Sequence, residues 1–177
     1  LKPDGVLVSG LTAFAVLQDK GLNLWIDYSL NAFNSQALDV WREQGAHGAT
    51  LSQELNFGQI SELAGSMPLE CIVHGRTEMM VTQYCAIGGL LGNTEKGLCN
   101  APCQKGNYYF KDRMNECFPL VTDQYCRMHV LNAKELCLVD QLDRFSTMGI
   151  ERVRIDGRSY TARELGNIVR MYRNALD

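Results

Sequence analysis

Three cysteines, Cys85, Cys99 and Cys103, fall within "VTQYCAIGGLLGNTEKGLCNAPCQKG", residues 81–106, a stretch otherwise full of glycine and polar residues. Thiolates are soft donors that suit an iron–sulfur cluster or zinc, and a Cys-x3-Cys spacing is tolerated by either, so spacing alone does not choose between them. Cys126 in "DQYCRMHV" and Cys137 in "AKELCLV" are the candidates for a fourth donor. Cys71, between Glu70 and Ile72 in a strand pattern, reads as a small buried hydrophobe, and Cys117 reads the same way. Seven cysteines is an odd number, and a 177-residue chain with a real core needs no staples, so reduced, metal-binding or redox-active thiols fit better than a secreted disulfide framework.

A second set of chemical groups stands at or near the ends of strand patterns: Asp27, Asn31, Ser52, Glu54, His74 with Arg76, Asn132, and Asp156 with Arg158. If those strands are parallel, their C-terminal ends share one rim, the place where barrel enzymes gather catalytic and binding groups. Glu54, His74, Arg76, Asp156 and Arg158 are therefore expected to line a pocket, with the two arginines holding an anionic group through their forked donors. In "VHGR" the imidazole and guanidinium flank a glycine where the backbone is free to turn sharply. No G-x-S-x-G elbow, His-Glu-x-x-His helix or phosphate-cradling loop occurs, and "AIGGLLG" matches no dinucleotide fingerprint.

The elements that must position these groups alternate. Gly21, Gly45, Gly65 and Gly149 each close a helical pattern and each precedes a short apolar strand, "LNLWIDYSL", "ATLSQEL", "LECIVHG" and "IERVRIDG". Phe14 with Leu17, Leu38 with Trp41, and Leu136, Val139, Leu142 and Phe145 carry the helical spacing. Capping boxes, Asn132 with Glu135 and Thr161 with Glu164, predict two helix starts. Apolar strands joined by helices argue a parallel sheet. About six strand patterns are too few for an eight-stranded barrel, which leaves an α/β fold that is either the C-terminal portion of a TIM-like (β/α) barrel, the reading preferred here, or an open doubly wound sheet. The beat is lost over about residues 78–125, where a cysteine-rich loop precedes a β-hairpin pattern with Tyr108, Tyr109 and Phe110 on one arm and Phe118, Leu120 and Val121 on the other. Residues 1–177 then form one partial barrel domain with that insertion.

The net charge of −3 and a hydrophobic fraction of 46% describe an ordinary globular chain without a global basic field, so any nucleic-acid contact is local. No apolar run approaches the roughly 18 residues that span a bilayer, so no membrane association is expected. Leu1 opens directly into a strand pattern with no leader-like segment, which reads as a cytoplasmic piece of a longer protein.

Together "LKPDGVLVSG", "LECIVHGRTEMMVTQYC", "CNAPCQKGNYYFKDR", "FPLVTDQYCRMHVLNAKELCLVDQL" and "GIERVRIDGRSYTARELGNIVRMYRNALD" resemble the collagenase-like proteases of peptidase family U32 over nearly the whole chain, without the family's N-terminal part of the barrel. The resemblance implies a TIM-barrel-like domain with a 4Fe-4S cluster on cysteines that follow the His-Gly strand. Members are described as collagenases, and others support hydroxylation of RNA bases or of a quinone precursor, with prephenate implicated as the source of the hydroxyl in the RNA reactions. By position, Cys85, Cys99 and Cys103 match family cysteines, while Glu78 stands where many members carry another. The fourth ligand is then expected to be Cys126, with Cys137 or a residue of the N-terminal part as alternatives. The function this implies is cluster-dependent hydroxylation of RNA or another large substrate. The alternatives are a peptidase acting on protein, for which His47, His74 and His129 offer no evident pairing with a cysteine, and a zinc-binding structural module.

Overall fold

The structure is a computed structural model that describes residues 3–93 and 98–176. The chain begins β1 (Gly5–Val8), α1 (Leu11–Leu17), β2 (Asn23–Ile26), α2 (Ser35–Glu43), β3 (Gly48–Thr50), α3 (Phe57–Leu63) and β4 (Leu69–Gly75). It continues through β5 (Glu78–Thr82), α4 (Ala86–Leu91), β6 (Tyr108–Lys111), β7 (Cys117–Thr122) and β8 (Met128–Leu131). It ends with β9 (Leu136–Cys137), α5 (Leu142–Met148), β10 (Arg152–Ile155) and α6 (Ala162–Leu176). Contacts divide it into two compact units, residues 1–75 with 137–177, and residues 76–136.

In the first unit the strands run β1-β2-β3-β4-β10, all parallel, with β9 pairing β4 off this path. The order advances in one direction without the reversal of a doubly wound sheet, which is the progression of a curled (β/α) barrel sheet. Gly21, Gly45, Gly65 and Gly149 all have positive φ, from 67° to 91°, so the helix-closing role read from the sequence has its physical cause in the left-handed step that follows each helix. Alternation along the strands sends Val8, Leu24, Ile26, Ala49, Leu51, Leu69, Cys71 and Val73 into one core with Phe14 of α1, Leu38 of α2, Ile60 of α3, Phe145 of α5 and Tyr172 of α6. Each large side chain buried there contributes about 1.5–3 kcal/mol. The intervening residues, Thr50, Glu70 and Arg154 among them, are bonded to one another across the opposite face.

A register shift interrupts this alternation. Arg154 stands opposite Ile72 but Ile155 stands opposite His74, so β4 carries one extra residue, Val73. The bulge turns His74 to the helix-facing side, where its ring lies 5.5 Å from that of Tyr172.

The second unit is an antiparallel sheet ordered β5-β8-β7-β6. Its β6–β7 pair is the expected hairpin, with Tyr108 opposite Leu120 and Phe110 opposite Phe118. Met128 and Val130 on one face of β8 bury Ala86 and Ile87 of α4, with Tyr108, Phe118 and Leu120 packed around them. The stretch expected as a cysteine-rich loop thus carries β5 and α4, and its residues 94–97 lie outside the described residues.

One expected helix start fails and one holds. Asn132 Oδ1 accepts from the Lys134 N–H at 3.2 Å, closing a tight turn rather than a helix. The chain then enters β9, so Leu136 and Cys137 are strand residues and the helix begins at Leu142. At Thr161 the box forms: Glu164 accepts from the Thr161 N–H at 2.8 Å and its own N–H reaches Thr161 Oγ1 at 3.4 Å.

Gly75 is required twice over, by φ of 130° and by Asp156, whose Cβ and carbonyl oxygen lie 2.8 Å from where a Cβ would stand. Gly75→Ala should cost about 1–3 kcal/mol in urea unfolding. Gly166→Ala in α6, where only Arg170 Nη1 at 3.8 Å meets the new atom, should instead stabilise by about 0.5–1 kcal/mol.

Candidate functional site

The strand pairing of the second unit gathers cysteines at one end of its sheet. Thr82 ends β5 opposite Met128, the first residue of β8, and Thr122 ends β7 beside the same Met128. Cys85 follows β5, Cys103 precedes β6 and Cys126 lies in the turn joining β7 to β8, so all three belong to that end. Cys117 pairs with Lys111 at the opposite end. Cys137 lies on β9, and burial, with the Glu70 charge adding to it, pushes the Cys71 thiol up to about 12, far from reactivity.

Glycines shape the space around two of these thiols. The Gly88 N–H donates to Cys85 Sγ at 3.3 Å. Cys99 Sγ lies 3.4 Å, and Cys85 Sγ 3.5 Å, from where a Cβ on Gly88 would stand, and at Gly92 the same construction meets Cys99 Sγ at 2.8 Å. Gly88 and Gly92 of "AIGGLLG" therefore leave room for sulfur. Asn100 N–H donates to Gly92 O at 3.0 Å, returning the Cys99 segment to the end of α4. Cys85 and Cys103 pack against the Met128 and Val130 core, whereas Cys126 is exposed at φ of 59°. The thiols are free, and among the described residues no three His, Cys, Asp or Glu side chains stand close enough to hold a single metal ion. Soft donors, an N–H aimed at one sulfur and glycine-made room beside two of them fit a thiolate-bound group.

Glu78, at the position where the resemblance places a cysteine, holds His129 Nδ1 at 2.5 Å. His129 alternates with Met128 and Val130 along β8, so this pair occupies the sheet face away from the Cys85 and Cys103 core. Asp123 Oδ2 lies 3.5 Å from His129 Nε2 and accepts from Arg127 Nε at 2.7 Å. Arg76, also in this unit, donates through Nη1 to the carbonyls of Asn132 at 3.0 Å and Ala133 at 2.7 Å, so this guanidinium fastens the turn after β8.

In the first unit, Asp27, Glu54, Asp156 and Arg158 stand after β2, β3 and β10 at the C-terminal strand ends. Glu54 is exposed. Arg158 donates from Nε at 2.9 Å and from Nη2 at 2.6 Å to the two Asp156 oxygens, and this fork holds the Asp156 carboxyl below its ordinary range against the opposing effect of burial. His74 is 4% exposed; its Nδ1 lies 3.4 Å from Tyr172 Oη, which donates to Val73 O at 2.8 Å. It sits among helix-facing packing rather than on the open rim.

Sequence reasoning singled out Asp27 but passed over the group that holds it. Arg154 donates to Glu70 Oε1 at 2.6 Å, Asp27 Oδ1 at 2.9 Å and Thr50 Oγ1 at 2.6 Å, so one guanidinium ties residues of β10, β4 and β3 to the end of β2. Burial alone would lower its proton affinity, but the two carboxylates raise it. The alternation of "RVRI" was the available signal: two arginines on one face of a strand in a parallel sheet require partners. A cavity of about 320 Å³ lies near the other ends of the strands, lined by Asp4, Asn23, His47 and Arg152 among others, the end that serves stability in barrels.

The sequence model described as Peptidase family U32 matches residues 1–177. The chain belongs to peptidase family U32. Curated relatives of this U32 chain include tRNA hydroxylation protein P2 of Bacillus subtilis (strain 168), 28% identical over 149 residues, covering 81% of the chain and 48% of the relative. Another is tRNA hydroxylation protein P of Escherichia coli (strain K12), 21% identical over 222 residues, covering 99% and 49%. A third, tRNA hydroxylation protein P of Helicobacter pylori (strain ATCC 700392 / 26695), is 25% identical over 187 residues, covering 100% and 44%. The U32 chain spans about half the length of these relatives. No solved structure matches it.

Because the folded-state affinity of Asp156 for protons is depressed, its pair with Arg158 stabilises the fold above the carboxylate's unfolded titration range and is lost as pH falls through the folded one. Asp156→Asn should therefore be less stable than the wild type at neutral pH, with the difference closing in acid, as followed by urea unfolding over a pH series. An unchanging difference would show that the ion pair is not its source.

Proposed function

We propose that this chain is part of a U32 protein that supports hydroxylation of RNA bases, with a 4Fe-4S cluster held by Cys85, Cys99, Cys103 and Cys126. The observation that carries the RNA reading is the match to proteins named for tRNA hydroxylation. The ligand set is favoured by the convergence of Cys85, Cys103 and Cys126 on one sheet end and by the approach of Cys85 and Cys99 to Gly88. Cys137, exposed on β9, is kept as the alternative fourth donor, and the Glu78 carboxylate is already engaged by His129.

When bound, such a cluster supplies one-electron chemistry or a Lewis-acidic iron to the reaction. The chain's own residues set its surroundings. The Gly88 N–H donates to the Cys85 sulfur, Gly92 leaves space for that of Cys99, and Met128, Val130, Tyr108 and Leu120 keep an apolar wall beside Cys85 and Cys103. Hydrogen bonds to sulfur and the polarity of that wall tune a cluster's potential. The proposed co-substrate is prephenate, whose carboxylates suit a guanidinium; the Arg158 fork is taken by Asp156 and Arg76 holds the carbonyls of Asn132 and Ala133, so neither is offered as its holder. The proposed setting is the cytoplasm; among the described residues no helix is long and apolar enough to cross a membrane.

A cysteine-peptidase reading needs a histidine positioned beside a thiolate. Here the rings of His47 and His74 lie beside those of Trp25 and Tyr172, and His129 stands between the Glu78 and Asp123 carboxylates, so the neighbours seen are aromatic rings and carboxylates rather than thiolates. Mass spectrometry of nucleosides from total RNA of a deletion strain tests the proposal. A hydroxylated nucleoside should disappear on deletion, return with the full-length wild-type protein and stay absent with Cys99→Ser. Unchanged RNA, together with cleavage of casein or collagen by the purified protein, would transfer the function to proteolysis.

A further inference from the structure

The tripeptide Gln-Tyr-Cys occurs twice, as Gln83-Tyr84-Cys85 and Gln124-Tyr125-Cys126. The two copies share one local hydrogen bond, although their cysteines differ in backbone, Cys85 being extended at φ −94° and Cys126 left-handed at φ 59°. Thr82 Oγ1 accepts from the Tyr84 N–H at 3.1 Å, and Asp123 Oδ1 accepts from the Tyr125 N–H at 2.9 Å, so a side-chain oxygen two residues earlier closes each turn. One copy leaves β5 and the other enters β8, and Thr82 opposite Met128 makes them neighbours at the thiol end of the sheet.

Both turns lift their tyrosine into solvent: Tyr84 is 65% and Tyr125 70% exposed. A single exposed ring needs no explanation, but two rings raised by turns with the same closing hydrogen bond, each adjoining a proposed cluster ligand, form an arrangement. Both are supported from beneath or beside. The Tyr84 hydroxyl lies 2.6 Å from where a Cβ on Gly89 would stand, so the missing side chain lets that ring lie along α4. The Arg127 guanidinium stands 5.5 Å from the centre of the Tyr125 ring and is itself fixed to Asp123, with Nη2 2.6 Å from Oδ2. Residues 76–136 are close to charge balance, with seven Lys and Arg against six Asp and Glu, while the negative excess of the chain resides in the first unit.

We infer that Tyr84 and Tyr125 are paired stacking platforms for unpaired nucleobases of an RNA substrate, with Arg127 placed for the adjoining phosphate, bringing a base to the Cys85 and Cys126 end of the sheet. The inference deepens the RNA reading above and rests on it. Flat aromatic faces accept any base that is out of its helix, and a neighbouring guanidinium contributes both stacking and charge. Paired bases hide the faces that such platforms need, so the preference is for single strands.

The test uses anaerobically purified full-length protein and fluorescence anisotropy with a labelled single-stranded RNA of about 12 nucleotides, beside a duplex of the same sequence. Tyr84→Leu and Tyr125→Leu keep apolar bulk without a π-face, and each should weaken single-strand binding about tenfold, whereas Tyr84→Phe and Tyr125→Phe should retain it. Duplex binding, iron content and thermal midpoint should be unchanged in the leucine variants, which a merely structural role for either ring would not allow. Wild-type affinity for the single strand in both leucine variants would overturn the platforms and leave the RNA reading standing. Failure of the wild-type protein to bind the RNA would overturn both.

Discussion

The antiparallel register that sets Thr82 opposite Met128 is the constraint on which the placement of the second unit's cysteines depends. Cys85 and Cys126 are 41 positions apart in sequence, and only the pairing of β5 with β8 makes them neighbours of one sheet end. A one-residue slip would exchange the faces of β8, burying His129 in place of Met128 and Val130. The apolar wall against Cys85 and Cys103 would then be lost, along with the His129–Glu78 pair on the other face. Register here is specified by burial: Met128 and Val130 are 2% and 7% exposed, whereas His129 has carboxylate partners that reward the opposite placement.

The first unit solves a different problem. Its sheet buries one face under helices, and the other carries charge at positions that would otherwise be costly to desolvate. Arg154 resolves this by taking Glu70, Thr50 and Asp27 together, so the carboxylates compensate the guanidinium and each other's lone pairs are occupied. The network fixes the relative positions of four successive strands, and with them the loops that bear Ser52, Glu54, Asp156 and Arg158. Removal of any one member would leave its partners half-buried with unmet hydrogen-bonding needs.

Much of this organisation was legible in the sequence because the signals were local. The four helix-closing glycines required positive φ wherever the helices ended, and the Tyr108–Phe110 and Phe118–Val121 arms announced a hairpin through composition. Asn132 misled because its side chain satisfies a backbone N–H equally well in a tight turn and at a helix cap; Lys134 received the bond and a strand followed. His74 stands at a strand exit as expected, but the extra residue in β4, a bulge with no local signature, sets its ring against Tyr172 of α6 rather than on the open rim. Glu78 was recognised as a departure from a cysteine, but its partner His129 lies 51 positions away and is joined to it only by sheet pairing. The repeated Gln-Tyr-Cys was visible in the sequence and acquired meaning only when the two copies fell side by side.

The proposal that cysteines at one end of the second unit's sheet hold a single iron–sulfur cluster joins these observations. It is tested most directly by iron and acid-labile sulfide content, with visible absorption, in anaerobically purified full-length protein and its cysteine-to-serine variants. The wild-type protein should be brown, with iron and sulfide that fall alike in Cys85→Ser, Cys99→Ser, Cys103→Ser and Cys126→Ser and persist in Cys117→Ser and Cys137→Ser. A colourless protein with stoichiometric zinc, or full iron in Cys126→Ser with its loss in Cys137→Ser, would contradict it.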